Sequence, residues 1–284
     1  MDWMTGMQDA LCYIEAHLTD TLDYAEIAKR AYVSNYYFQR AFHMLCGYTL
    51  GEYIRCRRLT LAGSELSAGN LKVIDAAIKY GYDSPDSFAK AFTRFHGVAP
   101  SLAKERGVKL KAFAPLQISL TLKGGMTMDY RIENMEAFWI LGMERKFHMD
   151  TAFAEIPKFW DEYYAKGMQN TVCGQYGICM DESTDGSFSY LIADNCEPDA
   201  PVPTGYIKRE IPAHTWAVFP CVGPMPESLQ SVNRQIFSEW LPNNRAYEIA
   251  DGLNIERYID MDASAPDYHS EIWIPVRPAN TAKD

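Results

Sequence analysis

The first hundred residues match themselves at an offset of 50, and this internal match restricts the fold more than any other feature of the chain. Lys29, Tyr32, Ser34, Phe38, Ala41, Phe42 and Gly47 return as Lys79, Tyr82, Ser84, Phe88, Ala91, Phe92 and Gly97, and Arg40 is answered by Lys90. Each copy reads as a helix, a short turn and a second helix. Asp23 to Glu26 gives an acidic cap and first turn to a helix ending near Ala31. Ser34 caps the next helix, on which Phe38, Ala41 and Phe42 fall on one apolar face. In the second copy Ile74, Ala77 and Ile78 mark the first helix, Gly81 opens the turn, and Ser84 with Pro85 supplies the cap and first helical position of the second. Two helix-turn-helix units follow. The helix expected between them, Leu50 to about Leu66, spans roughly 25 Å at about 1.5 Å per residue. That length suits two units about 34 Å apart, the spacing of successive major grooves on one face of DNA.

Residues 5 to 106 resemble the DNA-binding domain of AraC/XylS-type regulators, most specifically in Tyr80-Gly81-Tyr82-Asp83-Ser84 and then Phe88, Phe92, Phe95, Gly97 and Pro100. The resemblance implies that helices 34–45 and 84–95 are the readers of double-stranded operator or promoter DNA. Tyr36, Gln39 and Arg40 are then outward on the first, Asp86, Ser87 and Lys90 on the second, and RNA polymerase is a further partner. Side-chain chemistry agrees: Gln pairs with adenine, Arg with guanine, and Lys90 with guanine or phosphate. Asp86 either accepts from cytosine or caps its helix. Arg55, Arg57, Arg58 and Arg94 read as phosphate contacts or as a solvated face.

The net charge of −10 opposes nucleic-acid binding only if charge is spread evenly, and it is not. Residues 1–126 hold 15 Lys+Arg against 12 Asp+Glu, whereas residues 127–284 hold 12 against 25. The second half favours cationic partners. Seven cysteines without a C-x-x-C pair and six scattered histidines signal neither disulfides nor zinc. No catalytic triad is evident, and no cofactor, metal or catalytic set is expected. Without a leader or long apolar run, the reading is a cytoplasmic protein with no membrane partner.

After Arg106 the periodicity changes. Leu116, Ile118, Leu120 and Leu122 alternate with polar residues as in a half-buried strand, and Gly124-Gly125 suits a hairpin turn. Beyond it, strand, helix and two strands are expected at 129–147, 153–167, 174–181 and 187–193, and again at 205–222, 225–241, 253–260 and 268–276. Ile211-Pro212-Ala213, Glu239-Trp240-Leu241-Pro242, Ile255-Glu256-Arg257-Tyr258 and Glu271-Ile272-Trp273-Ile274-Pro275-Val276 resemble the GyrI-like effector-binding domain. That resemblance implies a groove between two pseudo-symmetric units that takes bulky, often aromatic and cationic molecules.

The expected organisation is therefore multidomain. An all-α tandem helix-turn-helix domain spans 1–108, and a linker and hairpin strand span 109–125. An α+β GyrI-like domain of two pseudo-symmetric β-α-β-β units spans 126–278, and a tail follows at 279–284.

Strand alternation puts Glu256 and Tyr258 opposite Ile255 and Ile259, and Glu271 and Trp273 opposite Ile272 and Ile274, so that two carboxylates and two rings share one surface. Such a surface attracts a desolvated cation. Trp160 and Tyr164 line the groove or fill the helix-sheet interface. The leading expectation is a transcription regulator that senses a lipophilic, cationic small molecule. The alternatives are a small-molecule hydrolase with Glu256 as base and Tyr258 as positioning group, and an acidic protein-binding module.

Overall fold

The computed structural model describes residues 3–69, 71–118, 127–181, 187–260 and 262–279. The first hundred residues form α1 (Trp3–Ala16), α2 (Tyr24–Arg30), α3 (Asn35–Cys46), α4 (Leu50–Ser67), α5 (Val73–Lys79) and α6 (Pro85–His96). The internal repeat is written into the helix ends. Ser34 and Ser84 accept from the backbone N–H of Tyr37 and Ser87 at the starts of α3 and α6, and Pro85 takes the first position of α6. Gly47 and Gly97 close both helices in the left-handed region, at φ 77° and 83°, where a side chain would be strained. Helix α4 begins with a capping box between Thr49 and Glu52.

The chain divides into two compact units, Met1–Tyr32 with Tyr48–Leu122, and Val33–Gly47 with Lys123–Asp284. Helix α3 thus belongs with the C-terminal half. The core of the first unit joins Leu59, Ala62 and Leu66 of α4, Ala76 and Ala77 of α5, and Phe88 and Phe92 of α6, around Tyr80 and Ala103. Of the strand and hairpin expected at 116–125, residues 119–125 lie outside the described residues, and 116–118 carry no regular structure.

The second unit continues with β1 (Arg131–Met135), β2 (Phe138–His148), α7 (Met149–Ala165), β3 (Tyr176–Met180), β4 (Ser187–Cys196), β5 (Ile207–Ile211) and β6 (His214–Val222). Helix α8 (Glu227–Gln235) then runs on through a π turn at Ile236–Trp240, and β7 (Tyr247–Ile249), β8 (Leu253–Tyr258) and β9 (His269–Pro278) complete the sheet. The antiparallel order is β1-β6-β9-β8-β3-β4-β2-β5, with β7 on β9. This order is a palindrome: β1, β2, β3 and β4 occupy the places mirrored by β5, β6, β8 and β9. The weak sequence repeat is therefore a two-fold in space. Each long strand expected at 129–147 and 205–222 is broken in two, at Glu136-Ala137 and at Pro212-Ala213, and the short leading piece pairs in the opposite half, β1 on β6 and β5 on β2. Pro212 has no N–H to continue a ladder. One face of the sheet carries a core of Tyr176, Ile178, Leu191, Trp216, Val218, Ile255 and Trp273, while α7 and α8 pack on the sheet and α3 packs against both helices. Among the described residues no helix is long and apolar enough to cross a membrane.

Candidate effector site and reading helices

The β3–β8 pairing places Gly177 opposite Glu256 and Cys179 opposite Asn254 at the centre of the two-fold. Side chains on this helix-covered face converge on the Glu256 carboxylate. Tyr258 donates from its hydroxyl to Oε2 of Glu256 at 3.0 Å. Trp160 of α7 donates from Nε1 to the Tyr190 hydroxyl at 2.9 Å and meets the Tyr258 ring edge-on at 5.4 Å. Tyr164, half exposed, stacks on Trp160 at 5.8 Å. Gly177 is required here, because a Cβ would collide with the Tyr190 hydroxyl. Burial pushes the phenols of Tyr190 and Tyr258 well above their ordinary range, so both are neutral hydrogen-bonding groups.

The remaining oxygen of Glu256 already holds a cation. Arg40 of α3 donates from Nη2 to Glu256 Oε1 at 3.0 Å and to Asn233 Oδ1 of α8 at 3.0 Å, and from Nη1 to the Tyr36 hydroxyl at 2.6 Å. The two charged side chains are 8% and 13% exposed. Burial opposes the guanidinium charge, but Tyr36, Glu256 and Cys179 outweigh it and hold Arg40 well above its usual range. The Cys179 thiol beside it is pushed up to about 12 by burial and stays protonated. Arg40 Nε and Asn233 Nδ2 are buried without a hydrogen-bond partner. Two further bonds dock α3: the Tyr37 hydroxyl donates to the Leu253 carbonyl at 2.5 Å, and Asp181 accepts from the Tyr36 N–H at 3.1 Å.

Glu271 and Trp273 do not join this group. The β8–β9 register sets Glu256 opposite Ile272, and Glu271 opposite Arg257, so the two carboxylates expected to share a surface lie on opposite faces of the sheet. Both Glu271 and Trp273 are buried. Glu271 accepts from Trp273 Nε1 at 2.8 Å and pairs with Arg131 at 2.8 Å and Arg257 at 3.5 Å. Alternation within a strand orders its residues by face, but only the register says which faces of two strands coincide.

The two helices expected to read DNA differ sharply. On α6, Asp86, Ser87, Lys90 and Arg94 are all exposed, and Phe88 and Phe92 fill the core beneath. On α3, Tyr36, Gln39 and Arg40, expected to face outward, are buried in the second unit at 3%, 3% and 7% exposure. The central arginines of α4 also differ from the expectation of phosphate contacts or a solvated face. Arg57 is buried against Glu15 and the Phe113 carbonyl, and Arg58 donates to the Leu18 and Asp20 carbonyls at 2.7 Å. Sequence reasoning missed Tyr190, Cys179 and Asn233. Tyr190 was accessible from the alternation of Phe188, Tyr190 and Ile192 in β4, whereas nothing local marks Asn233 or a pair 216 residues apart such as Arg40 and Glu256.

A tandem helix-turn-helix segment followed by a two-fold α+β domain is the architecture of a DNA-binding regulator with an effector-binding domain. Comparison with known proteins agrees. Residues 131–276 match the family of integron-associated effector binding proteins, and residues 27–106 match a helix-turn-helix domain family. The transcriptional activator AarP of Providencia stuartii is 44% identical over 96 residues, covering 34% of this chain and 71% of that protein. The regulatory protein SoxS of Escherichia coli K12 is 36% identical over 100 residues, covering 35% and 94%. The structure of SAV2435 bound to tetraphenylphosphonium aligns over 53% of this chain and 94% of that one, at 23% identity and a TM-score of 0.48. The chain belongs to the AraC/XylS-type regulators that carry a GyrI-like effector-binding domain of the integron-associated type.

Proposed function

We propose that this regulator controls transcription in response to a lipophilic aromatic cation held at Glu256, with Tyr258, Trp160 and Tyr164 as its aromatic surround. The observation that carries the reading is a nearly buried carboxylate, hydrogen-bonded by Tyr258 and set among aromatic rings, on the helix-covered face of the sheet. A ring face and an ionised carboxylate in a low-dielectric site both favour a desolvated cation. Promoter DNA is contacted from α6 by Lys90, Arg94, Ser87 and Asp86, whose exposure supports that role, and from α3 by Tyr36, Gln39 and Arg40 once that helix is free. RNA polymerase is the partner through which bound regulator changes output. Binding rather than turnover is the role assigned to Glu256, in keeping with relatives that are transcriptional regulators.

The test is a titration of the full-length protein with tetraphenylphosphonium, followed by tryptophan fluorescence, beside the neutral triphenylphosphine oxide and a Glu256→Gln variant. Saturable quenching by the cation, weakened about tenfold or more in Glu256→Gln and much weaker for the neutral compound, is the expected result. Equal binding of cation and neutral compound would remove the charge-recognition reading, and conversion of the ligand during binding would point to catalysis.

A further inference from the structure

The cation site has an occupant from the chain itself, and that occupant is a reading helix. Arg40 presents its guanidinium to Glu256 as a ligand's charge would, Tyr36 bonds the same guanidinium, and Gln39 is buried with them. The geometry points to α3 as an internal ligand of the effector site: the pair Arg40–Glu256 holds the DNA-reading face of α3 inside the second unit, and a cationic effector displaces Arg40 and releases it. This rests on the cation reading of Glu256 given above.

One observation and two physical arguments support exchange over a permanent structural bond. A buried carboxylate that loses its partner is strongly destabilised, whereas one that changes partner is not, so an incoming cation leaves Glu256 satisfied. The docked arrangement is imperfect, since Arg40 Nε and Asn233 Nδ2 are left without partners in the interior. Free of the pocket, Arg40 regains water or a DNA base as partner, which lowers the cost of leaving. The residues that would read DNA from α3 are also those hidden by the pair, so effector and DNA favour the same released form and each strengthens binding of the other.

The test uses the full-length protein, tetraphenylphosphonium as probe and an Arg40→Met variant, which keeps the stem and removes the charge. If about nine molecules in ten are closed, removing the competing guanidinium tightens apparent cation affinity about tenfold. Hydrogen exchange of the α3 amides, measured on the unaltered protein with and without cation, requires no variant to fold, and should rise when cation is present. DNA affinity of the Glu256→Gln variant should exceed that of the parent without cation and lose its response to cation. If the parent and Arg40→Met bind the cation equally, Glu256-dependently, with α3 exchange unchanged, the displacement is overturned while the cation site stands. If neither protein binds the cation, the cation reading fails and the displacement falls with it.

Discussion

Arg57 lies in an arginine-rich stretch of α4 beside Arg55 and Arg58, and the sequence gives no reason to separate them. In the structure its guanidinium makes a two-pronged bond to Glu15 of α1, with distances from 2.8 to 3.1 Å, and also donates to the Phe113 carbonyl. The Arg57 side chain is 9% exposed and Glu15 is 25% exposed. Glu15 also accepts from the Tyr53 hydroxyl at 2.6 Å, so Glu15 and Arg57 together gather α1, α4 and the chain after α6. Removing Arg57 leaves the partly buried Glu15 carboxylate with the Tyr53 hydroxyl but without its countercharge. Arg57→Ala is expected to cost about 3 kcal/mol, read from urea unfolding by the helical circular dichroism signal. Arg57→Lys should recover only part of the loss, because an ammonium cannot match the fork that faces Glu15. A loss no larger than that of an exposed arginine would show that Arg57 is a surface charge after all. Residue identity alone could not assign this role: an arginine that reads phosphate and one that clamps a carboxylate have the same local sequence, and the partner, 42 residues earlier, decides.

At the scale of elements, the contact between the end of α6 and α4 depends on a neutral histidine. His96 Nε2 lies 3.0 Å from the Leu59 carbonyl, and Nδ1 accepts from the Lys111 N–H at 3.1 Å. That arrangement fixes the proton on Nε2 and gives Nδ1 no room for a second one. Burial, despite the Leu59 carbonyl and aided by the charge of Lys111, holds His96 below its ordinary pKa. The unfolded chain then takes up its proton at about pH 6.5, before the folded protein does. Stability from this residue is complete above that pH and falls as the pH drops below it, until the depressed folded value is passed. The urea midpoint of the helical signal should decline as the pH falls below about 6.5, and His96→Gln should flatten the decline while lowering the midpoint at neutral pH. An unchanged slope in the variant would place the acid sensitivity elsewhere. The helices themselves were readable, since caps at Ser34 and Ser84, αL glycines at 47 and 97 and apolar spacing are local signals. The elements of the second unit were readable in number except for the breaks at 136–137 and 212–213 and the three-residue β7. The exchanged pairing of β1 and β5 was not, because strand partnership is a long-range property that a weak repeat does not encode.

For the molecule as a whole, two helices that look equivalent at an offset of 50 are in different states: α6 presents Asp86, Ser87, Lys90 and Arg94 to solvent, and α3 has its corresponding face buried. The sequence led to the expectation of two readers because the repeat preserves caps and core. It did not show that one of them is taken, because the residue that takes it, Glu256, is in the acidic half of the chain. A protein with one free reading helix should bind DNA through one major groove, with a salt dependence set by few phosphate contacts. Effector release of α3 adds a second groove and further contacts, each steepening the slope of log affinity against log salt by about 0.9. Hydroxyl-radical footprinting on a promoter fragment should therefore show one protected segment without cation and two, about 10 base pairs apart, with saturating tetraphenylphosphonium. Arg40→Ala should give the longer footprint without cation yet lose preference at the base that Arg40 reads. A footprint of constant length, with a salt slope indifferent to the cation, would mean that α3 stays where the structure puts it and that α6 alone selects the site.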